Sequence, residues 1–155
     1  MRIALFSFQK RRSAWADQAV EVYLQRVRRW RPVEIHQLKP TTFRGDEEAV
    51  RKDEATRLQK KLKHTDLLVA LDERGDDWST QDFANFLERA QHGGHTRLVF
   101  AIGGPYGHHA STRQQARAVV RLSSLTLNHE IARVVFAEGL YRALSVIRGD
   151  PYHHQ

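Results

Sequence analysis

Short apolar runs alternate along the chain with longer segments in which apolar residues recur at helical spacing. The apolar run Arg2–Phe8 predicts a first strand. Residues 67–71 (LLVAL) and Arg97–Ile102 are apolar almost without interruption, which is typical of parallel strands buried on both faces. Residues 33–37 alternate apolar and polar side chains and predict a half-buried edge strand, and residues 119–122 predict a brief strand.

Helical spacing predicts the elements between these strands. Ser13 is a typical N-cap residue, and Pro32 ends the helix that follows it. The residues that follow at helical spacing are Trp15, Ala19, Val22, Tyr23, Arg26 and Trp30. Residues 47–63 predict a second helix, with Val50, Leu58 and Leu62 inward. A capping-box pattern begins the third helix at Ser79 and Asp82, and its core face is Phe83, Phe86, Leu87 and Ala90. Residues 111–118 predict a short polar helix, and residues 131–147 a long one.

The alternation of strands and helices predicts one α/β domain over residues 1–155, with a mostly parallel sheet covered by helices on both faces. In such sheets ligands bind beyond the carboxyl ends of the strands. Three predicted loops leave those ends of neighbouring core strands, at residues 71–78, 103–107 and 122–128. We therefore expect the functional site at this edge.

The composition excludes several classes of function. The chain has no cysteine, which excludes disulfides, thiolate metal sites and a cysteine nucleophile. No apolar run approaches the ~18 residues that a membrane span needs, and the first apolar run is too short for a signal-peptide core. We therefore expect a cytoplasmic protein without a membrane partner.

No metal is expected, because His153 and His154 have no third ligand at a fixed spacing. His108 and His109 are expected in a solvated loop.

The net charge of +7 lies in the first half of the chain. Residues 1–70 hold 16 Lys and Arg against 9 Asp and Glu, whereas the remainder is balanced. Arginine outnumbers lysine 19 to 6, and its planar guanidinium suits phosphates and base edges. This pattern favours a nucleic-acid-binding surface, although the charge alone is also compatible with a basic protein that binds nothing specific. The candidate contacts are Arg11, Arg12, Arg28, Arg29, Arg31, Lys39 and Arg44.

Two loops of the expected site have the composition of ligand-binding segments. Residues 103–107 (GGPYG) follow a strand directly, and their glycines let the backbone approach a ligand closely. They match neither GxGxxG nor a P-loop, and a tight strand-to-helix turn is the structural alternative. A nucleotide-binding oxidoreductase is disfavoured because no GxGxxG follows the first strand. Residues 122–127 (LSSLTL) offer backbone polar groups beside leucine walls, a slot that suits an adenine ring.

The last predicted helix has apolar residues on more than one face. One stripe contains Ile131, Val135, Glu138, Arg142 and Ser145, and others contain Val134, Phe136, Leu140 and Leu144. Such a helix indicates either a dimer interface or the central helix of the core.

Together these motifs resemble one family. The segments that carry the resemblance are IGGPYG at residues 102–107, the loop at 122–127, NHEIARVVFAEGLYRA at 128–143 and PYH at 151–153. They resemble the ribosomal RNA large subunit methyltransferase H family, a minimal branch of the SPOUT class, over essentially the whole chain. Two positions depart from the family pattern. Gln9 stands where relatives usually have a Gly-Lys-like turn, and Tyr106 stands where relatives often have a small or acidic residue.

The resemblance implies a fold, a reaction and partners. It implies a SPOUT-type domain with a C-terminal trefoil knot, which pattern arguments do not predict because chains are generally unknotted. It also implies that a homodimer transfers a methyl group from S-adenosyl-L-methionine to N3 of a pseudouridine in a 23S rRNA stem-loop, on the assembled ribosome. The cofactor-binding positions that it implies are Leu71, Gly103, Leu122, Ser123, Ser124, Leu125, Thr126 and Leu127.

Methyl transfer to this nitrogen requires alignment of donor and acceptor and no metal. Because the imide nitrogen carries a proton at neutral pH, we expect a base, or a cation that stabilises the imide anion. The candidates are His129, Arg142, Tyr152 and His153, and the alternative role for each is phosphate contact or dimer packing.

The alternative function is a non-catalytic ribosome-binding or assembly factor on the same α/β scaffold, which would not bind S-adenosylmethionine.

Overall fold

The computed structural model describes residues 1–10 and 13–152, which form five strands and five helices. In chain order these are β1 (Arg2–Phe8), α1 (Ala14–Arg28), β2 (Val33–Leu38), α2 (Glu47–Gln59), β3 (Asp66–Asp77), α3 (Thr80–His92), β4 (Arg97–Ile102), α4 (Ala110–Gln115), β5 (Ala118–Arg121) and α5 (His129–Arg148). The strands form one sheet in the order β2-β1-β4-β3-β5, and every neighbouring pair is parallel. The predicted α/β class and parallel sheet are confirmed.

Helices cover both faces of the sheet because successive side chains of each strand point to opposite sides. Leu5 of β1 packs into the larger hydrophobic cluster, with buried residues of α1, α3 and α5. The next residue, Phe6, packs into a smaller cluster on the other face, with Leu58 of α2. This two-sided burial explains why the central strands are continuously apolar.

The third strand is longer than its apolar run predicts. Residues 73–77, expected in a loop, continue β3 as far as Asp77. After a register shift, Asp76 and Asp77 pair with Val120 and Arg121 of β5. Main-chain pairing at the rim of a sheet requires no apolar side chains, so the hydrophobic pattern did not reveal this extension.

The buried face of α1 is not formed by the residues that first indicate its helical spacing. The buried residues are Ala16, Val20, Leu24 and Val27, whereas Trp15 and Val22 are 50% and 51% exposed. Both sets of residues satisfy helical spacing, so spacing alone does not determine which face of α1 is buried. Ser13 does occupy the N-cap position, but its side chain makes no capping hydrogen bond.

The last helix is central to the core. Phe136, Leu140 and Leu144 of α5 are buried, and α5 packs against both α1 and α3. The helix also has an outer side, on which Ile131 is 36% exposed. Both interpretations of its several apolar faces therefore stay compatible with the structure. Among the described residues, no helix is long and apolar enough to cross a membrane.

Candidate functional site

A cavity of about 470 Å³ lies at the carboxyl edge of the sheet. Its walls come from the ends of β3 and β4, the segment after β5 and the first turn of α5, where Ala132 lies. Small-molecule sites have volumes of roughly 300–1,000 Å³ and favour this edge of open α/β sheets. We call it the strand-end cavity.

The three chain segments expected at this edge meet around the strand-end cavity. Seven of the eight residues implied as cofactor-binding line it, namely Leu71, Gly103, Leu122, Ser123, Leu125, Thr126 and Leu127. Ser124, the eighth, is exposed and does not line the cavity. The structure therefore brings the segments together, while their role in binding stays a prediction.

Residues 103–107, the glycine turn, form one wall with main-chain atoms. The backbone N–H of Gly107 donates to the carbonyl oxygen of Gly104 at 3.0 Å, which closes the turn. A Cβ atom added to Gly103 would lie 2.8 Å from the carbonyl carbon of Gly107. Any side chain at Gly103 would therefore push the turn away from the end of β4.

The loop at residues 122–127 forms the opposite wall. The hydroxyl of Ser123 accepts a hydrogen bond from the backbone N–H of Leu125 at 2.9 Å. The hydroxyl of Thr126 donates to Glu73 of β3 at 3.5 Å. Leu125 is 75% exposed. The polar groups thus hold the loop in shape while leucine presents an apolar surface.

Charged side chains of α2 also reach the strand-end cavity, and the sequence analysis did not identify them. Glu47 and Arg51 line it beside Asp72 and Arg74 of β3. Hydrogen bonding to Glu48 raises the pKa of Arg51, so this guanidinium stays charged. Because most outward residues of this helix are charged, the sequence pattern does not distinguish these two side chains from their neighbours.

His108 does not lie in a solvated loop, so that expectation is wrong. Its side chain is buried, and its Nε2 donates to the carbonyl oxygen of Ala101 at 2.9 Å. Burial lowers the pKa of His108, which keeps the imidazole neutral. The buried ring secures the end of β4 directly below the glycine turn. His109 is half-buried and caps α4 by accepting a hydrogen bond from the backbone N–H of Ser111.

Two of the four catalytic candidates lie together near the C-terminus of the described chain. Arg142 donates from Nε and Nη2 to Oε1 of Glu138 at 2.9 and 2.6 Å. The hydroxyl of Tyr152 donates to the same oxygen at 3.2 Å, and the guanidinium lies 4.8 Å from the centroid of the Tyr152 ring. Glu138, which was noted only as part of a helical stripe, is the centre of this cluster.

The Arg142 cluster does not line the strand-end cavity of its own chain. Ala132 lines that cavity, and Arg142 follows ten residues later in the same helix. At 1.5 Å per residue, the two positions are roughly 15 Å apart along the helix axis. His129 is half-buried at the first position of α5 and does not line the cavity either. His153 lies outside the described residues.

Comparison with known proteins identifies the family. The family described as "Predicted SPOUT methyltransferase" matches residues 1–153. Curated relatives named "Ribosomal RNA large subunit methyltransferase H" match along their whole length. The protein of Trichlorobacter lovleyi is 38% identical over 99% of this chain and 100% of its own. That of Geobacter sulfurreducens is 36% identical with the same coverage, and that of Parabacteroides distasonis is 32% identical over the full length of both chains.

The chain belongs to the SPOUT methyltransferase family. The resemblance stated from the sequence motifs is thereby confirmed. A SPOUT methyltransferase needs a site for a methyl donor, and the strand-end cavity has suitable walls. Leu71, Leu122 and Leu127 supply apolar surface, and the glycine turn brings main-chain atoms to the rim. In residues 1–10 and 13–152, no three acidic or histidine side chains are grouped as metal ligands would be.

The buried guanidinium of Arg133 anchors α5 to the rest of this SPOUT domain. Arg133 is 1% exposed; its Nη1 donates to the side-chain oxygen of Gln9 at 2.6 Å, and its Nη2 donates to Asp17. Gln9 is one of the two positions that depart from the family pattern, and here its amide supports the start of α5. Sequence reasoning identified Arg133 as part of a motif but not as a buried group.

The basic residues of the SPOUT domain fall at both ends of the sheet. Lys39 and Arg44 follow the carboxyl end of β2, on the side of the strand-end cavity. Arg28 and Arg29 lie at the opposite end, because α1 runs back to the start of β2. Arg31 is also at that end, where it lines a pocket with Met1. Arg11 and Arg12 lie outside the described residues. The basic residues that were expected to form one surface therefore form two, one at each end of the sheet.

Proposed function

We propose that the protein uses S-adenosyl-L-methionine to methylate N3 of a pseudouridine in a stem-loop of 23S rRNA, on the assembled ribosome. The observation that carries the proposal is the convergence of seven implied cofactor residues on the strand-end cavity. Full-length similarity to proteins named for ribosomal RNA methylation supports the same substrate class. The proposal includes a C-terminal trefoil knot and a cytoplasmic location, both expected of this family.

The cavity suits the proposed methyl donor. Leu71, Gly103 and the residues of the 122–127 loop that line the cavity would hold it, between main-chain polar groups and leucine walls. S-adenosylmethionine supplies a methyl group on a positively charged sulfur, which is a good leaving group. The protein contributes alignment, since orientation of reactants can lower a barrier by several kcal/mol.

The side chains of the Arg142 cluster suit stabilisation of an anion better than abstraction of a proton. The pKa of Arg142 is raised by its hydrogen bonds to Glu138, so the guanidinium stays charged. Burial and the charge of Glu138 raise the pKa of Tyr152, so its hydroxyl stays protonated and is a poor base. We propose that Arg142 stabilises the imide anion of the acceptor and that Tyr152 orients it, which leaves His129 or His153 as the candidate base.

A homodimer is part of the proposal because Arg142 lies roughly 15 Å along α5 from Ala132, which lines the cavity of its own chain. A second copy would bring its Arg142 to that cavity. Apolar side chains exposed on the α1 and α5 layer offer a surface for this pairing, with Trp15 and Val22 half exposed and Ile131 36% exposed.

The decisive experiment incubates the protein with ribosomes that lack the modification and S-adenosylmethionine labelled in its methyl group. We expect label on N3 of one pseudouridine of 23S rRNA, located by nuclease mapping. Arg142→Ala should lower the single-turnover rate about 100-fold with unchanged affinity for S-adenosylmethionine. Arg148→Ala, six residues further along α5 and exposed, is the matched control and should leave the rate unchanged.

The alternative of a non-catalytic ribosome-binding factor predicts a different result. Such a factor would release no heat when titrated with S-adenosylmethionine and would transfer no label. An Arg142→Ala variant with an unaltered single-turnover rate would remove Arg142 from the mechanism while leaving the rest of the proposal intact.

A further inference from the structure

Glu54 is a carboxylate that α2 turns into the protein. It is 4% exposed and lies on the buried stripe of the helix with Val50 and Leu58. Burial raises the pKa of Glu54, and the backbone N–H groups of Thr41 and Gly104 oppose that rise. A buried carboxylate is tolerated when donors surround it, and these two donors belong to two different loops.

On one side, Glu54 holds residues 39–45, which we call the basic loop. The backbone N–H of Thr41 donates to Oε1 of Glu54 at 3.1 Å. Neighbouring residues of α2 hold the same loop: Asp53 accepts from the Thr41 hydroxyl, and Arg57 donates to the carbonyl oxygen of Lys39. The basic loop is therefore fixed to α2 at two of its residues.

On the other side, Glu54 lies against the glycine turn. A Cβ atom added to Gly104 would lie 2.4 Å from Oε2 of Glu54, so the carboxylate and the main chain are in direct contact. A second contact joins the same two segments, because the ring of Phe43 lies 5.5 Å from that of Tyr106. Both Gly104 and Tyr106 line the strand-end cavity.

We propose that Glu54 is a positioning residue that joins the basic loop to the glycine turn. RNA contact at the basic loop and cofactor binding in the cavity then order the same two segments. The inference rests on the proposed function, which makes the loop an RNA contact and the cavity a cofactor site. If the two events favour the same arrangement, each raises the affinity for the other by the same factor.

The test is Glu54→Gln, which keeps the size of the side chain but replaces one acceptor oxygen with a donor. One of the two backbone N–H groups then faces an amide N–H. We expect affinity for S-adenosylmethionine, measured calorimetrically, to fall at least tenfold. We also expect ribosomes lacking the modification to raise the affinity of the wild-type protein for S-adenosylhomocysteine, and to lose that effect in the variant.

Asp53→Asn is the matched control, because Asp53 contacts the basic loop but not the glycine turn. It should leave affinity for S-adenosylmethionine unchanged in the absence of ribosomes. Equal losses in both variants would overturn the inference, since they would reflect a general disturbance of α2. Cofactor affinity within twofold of wild type in Glu54→Gln would overturn it as well. A wild-type protein that does not bind S-adenosylmethionine would instead refute the proposed function.

A double-mutant cycle keeps the inference testable if Glu54→Gln folds poorly. Gly104→Ala places a methyl group where Oε2 of Glu54 lies, and Glu54→Ala removes that oxygen. We expect Gly104→Ala to weaken cofactor binding in the wild-type background and to cost at least threefold less in the Glu54→Ala background. Equal costs in the two backgrounds would show that Glu54 does not act on the turn.

Discussion

The two ends of β3 and β4 are built in opposite ways. At the amino end, Arg97 of β4 makes a bidentate contact with Asp66 of β3, with Nη2 to Oδ2 at 2.6 Å and Nε to Oδ1 at 3.2 Å. At the carboxyl end, the same strands lead into the glycine turn and the strand-end cavity. The amino end is closed by this ion pair, while the carboxyl end opens into a cavity whose walls are main-chain groups, leucine side chains and charged side chains of α2 and β3. We infer that stability is concentrated at the amino end and ligand binding at the carboxyl end.

The largest expected effect is on stability, from Arg97→Ala. The side chain of Asp66 is 2% exposed, and removal of its cation leaves a buried carboxylate unpaired, which costs about 3–5 kcal/mol. The free energy of unfolding, from urea denaturation, should fall by that amount. Affinity for S-adenosylmethionine should not change, because Arg97 is five strand residues, roughly 17 Å, from the cavity.

Arg121→Ala is the matched control at the carboxyl end. Arg121 also joins β5 to β3, through Asp77 at 3.0 Å, but Asp77 is 67% exposed. Exposed pairs contribute at most about 1 kcal/mol. Equal losses of stability in Arg97→Ala and Arg121→Ala would show that the two ends of the sheet do not differ in this way.

The second largest expected effect is a loss of S-adenosylmethionine binding, caused by Gly103→Ala at the carboxyl end of β4. The added methyl group would meet the main chain of Gly107, and overpacking of this kind costs about 1–3 kcal/mol. Affinity for S-adenosylmethionine should fall roughly tenfold to 100-fold, as measured by calorimetry. Gly93→Ala is the control near the amino end, where the added atom lies 3.0 Å from the side chain of His95 and comes no closer than 3.5 Å to the main chain, at the carbonyl oxygen of Ala90. An unchanged affinity in Gly103→Ala would contradict the assignment of the cavity.

Sequence patterns predicted those parts of the fold that are determined by residues close together along the chain. The bounds of β1 and β4 follow from apolar runs, and the capping box of Ser79 and Asp82 forms as expected. The general position of ligand sites in parallel sheets located the cavity. Glu54 and His108 were missed because a polar side chain becomes buried only through contacts with distant segments. The choice of inward face of α1 depended on α5 in the same way.

The third effect concerns the basic residues at the two ends of the sheet. Lys39 and Arg44 follow the carboxyl end of β2, so a charge reversal there, Lys39→Glu with Arg44→Glu, should weaken ribosome binding about tenfold. The dependence of affinity on salt should also become shallower, by roughly 0.7–0.9 in slope for each lost phosphate contact.

Arg28→Glu with Arg29→Glu tests the opposite end of the sheet with the same change in charge. If these residues also contact rRNA, as the sequence predicts, the double variant should show a smaller loss of affinity and a smaller change in salt dependence. Unchanged ribosome binding and salt dependence in both double variants would remove the basic surfaces from RNA recognition.

The smallest expected effect is the pH dependence of the contact between Arg97 and Asp66. Burial raises the pKa of Asp66, but the hydrogen bond from Arg97 and that from the backbone N–H of Lys63 lower it by more, so the pKa lies below 3.8. A depressed pKa gives stability that is present above 3.8 and is lost as the pH falls through the folded-state value. In Arg97→Ala the burial acts without the cation and should raise the pKa of Asp66 instead. The variant then gains stability relative to wild type as the pH falls, because its buried carboxylate takes up a proton first.

The difference in unfolding free energy between wild type and Arg97→Ala should therefore shrink from about pH 6 to pH 4, by no more than ~1.4 kcal/mol per pH unit. Urea denaturation at several pH values measures it. Arg121→Ala, whose partner Asp77 is largely exposed, is measured at the same pH values as the control at the carboxyl end. A constant difference for Arg97→Ala would mean that Asp66 is not held ionised by Arg97, and the amino end would then owe its stability to packing alone.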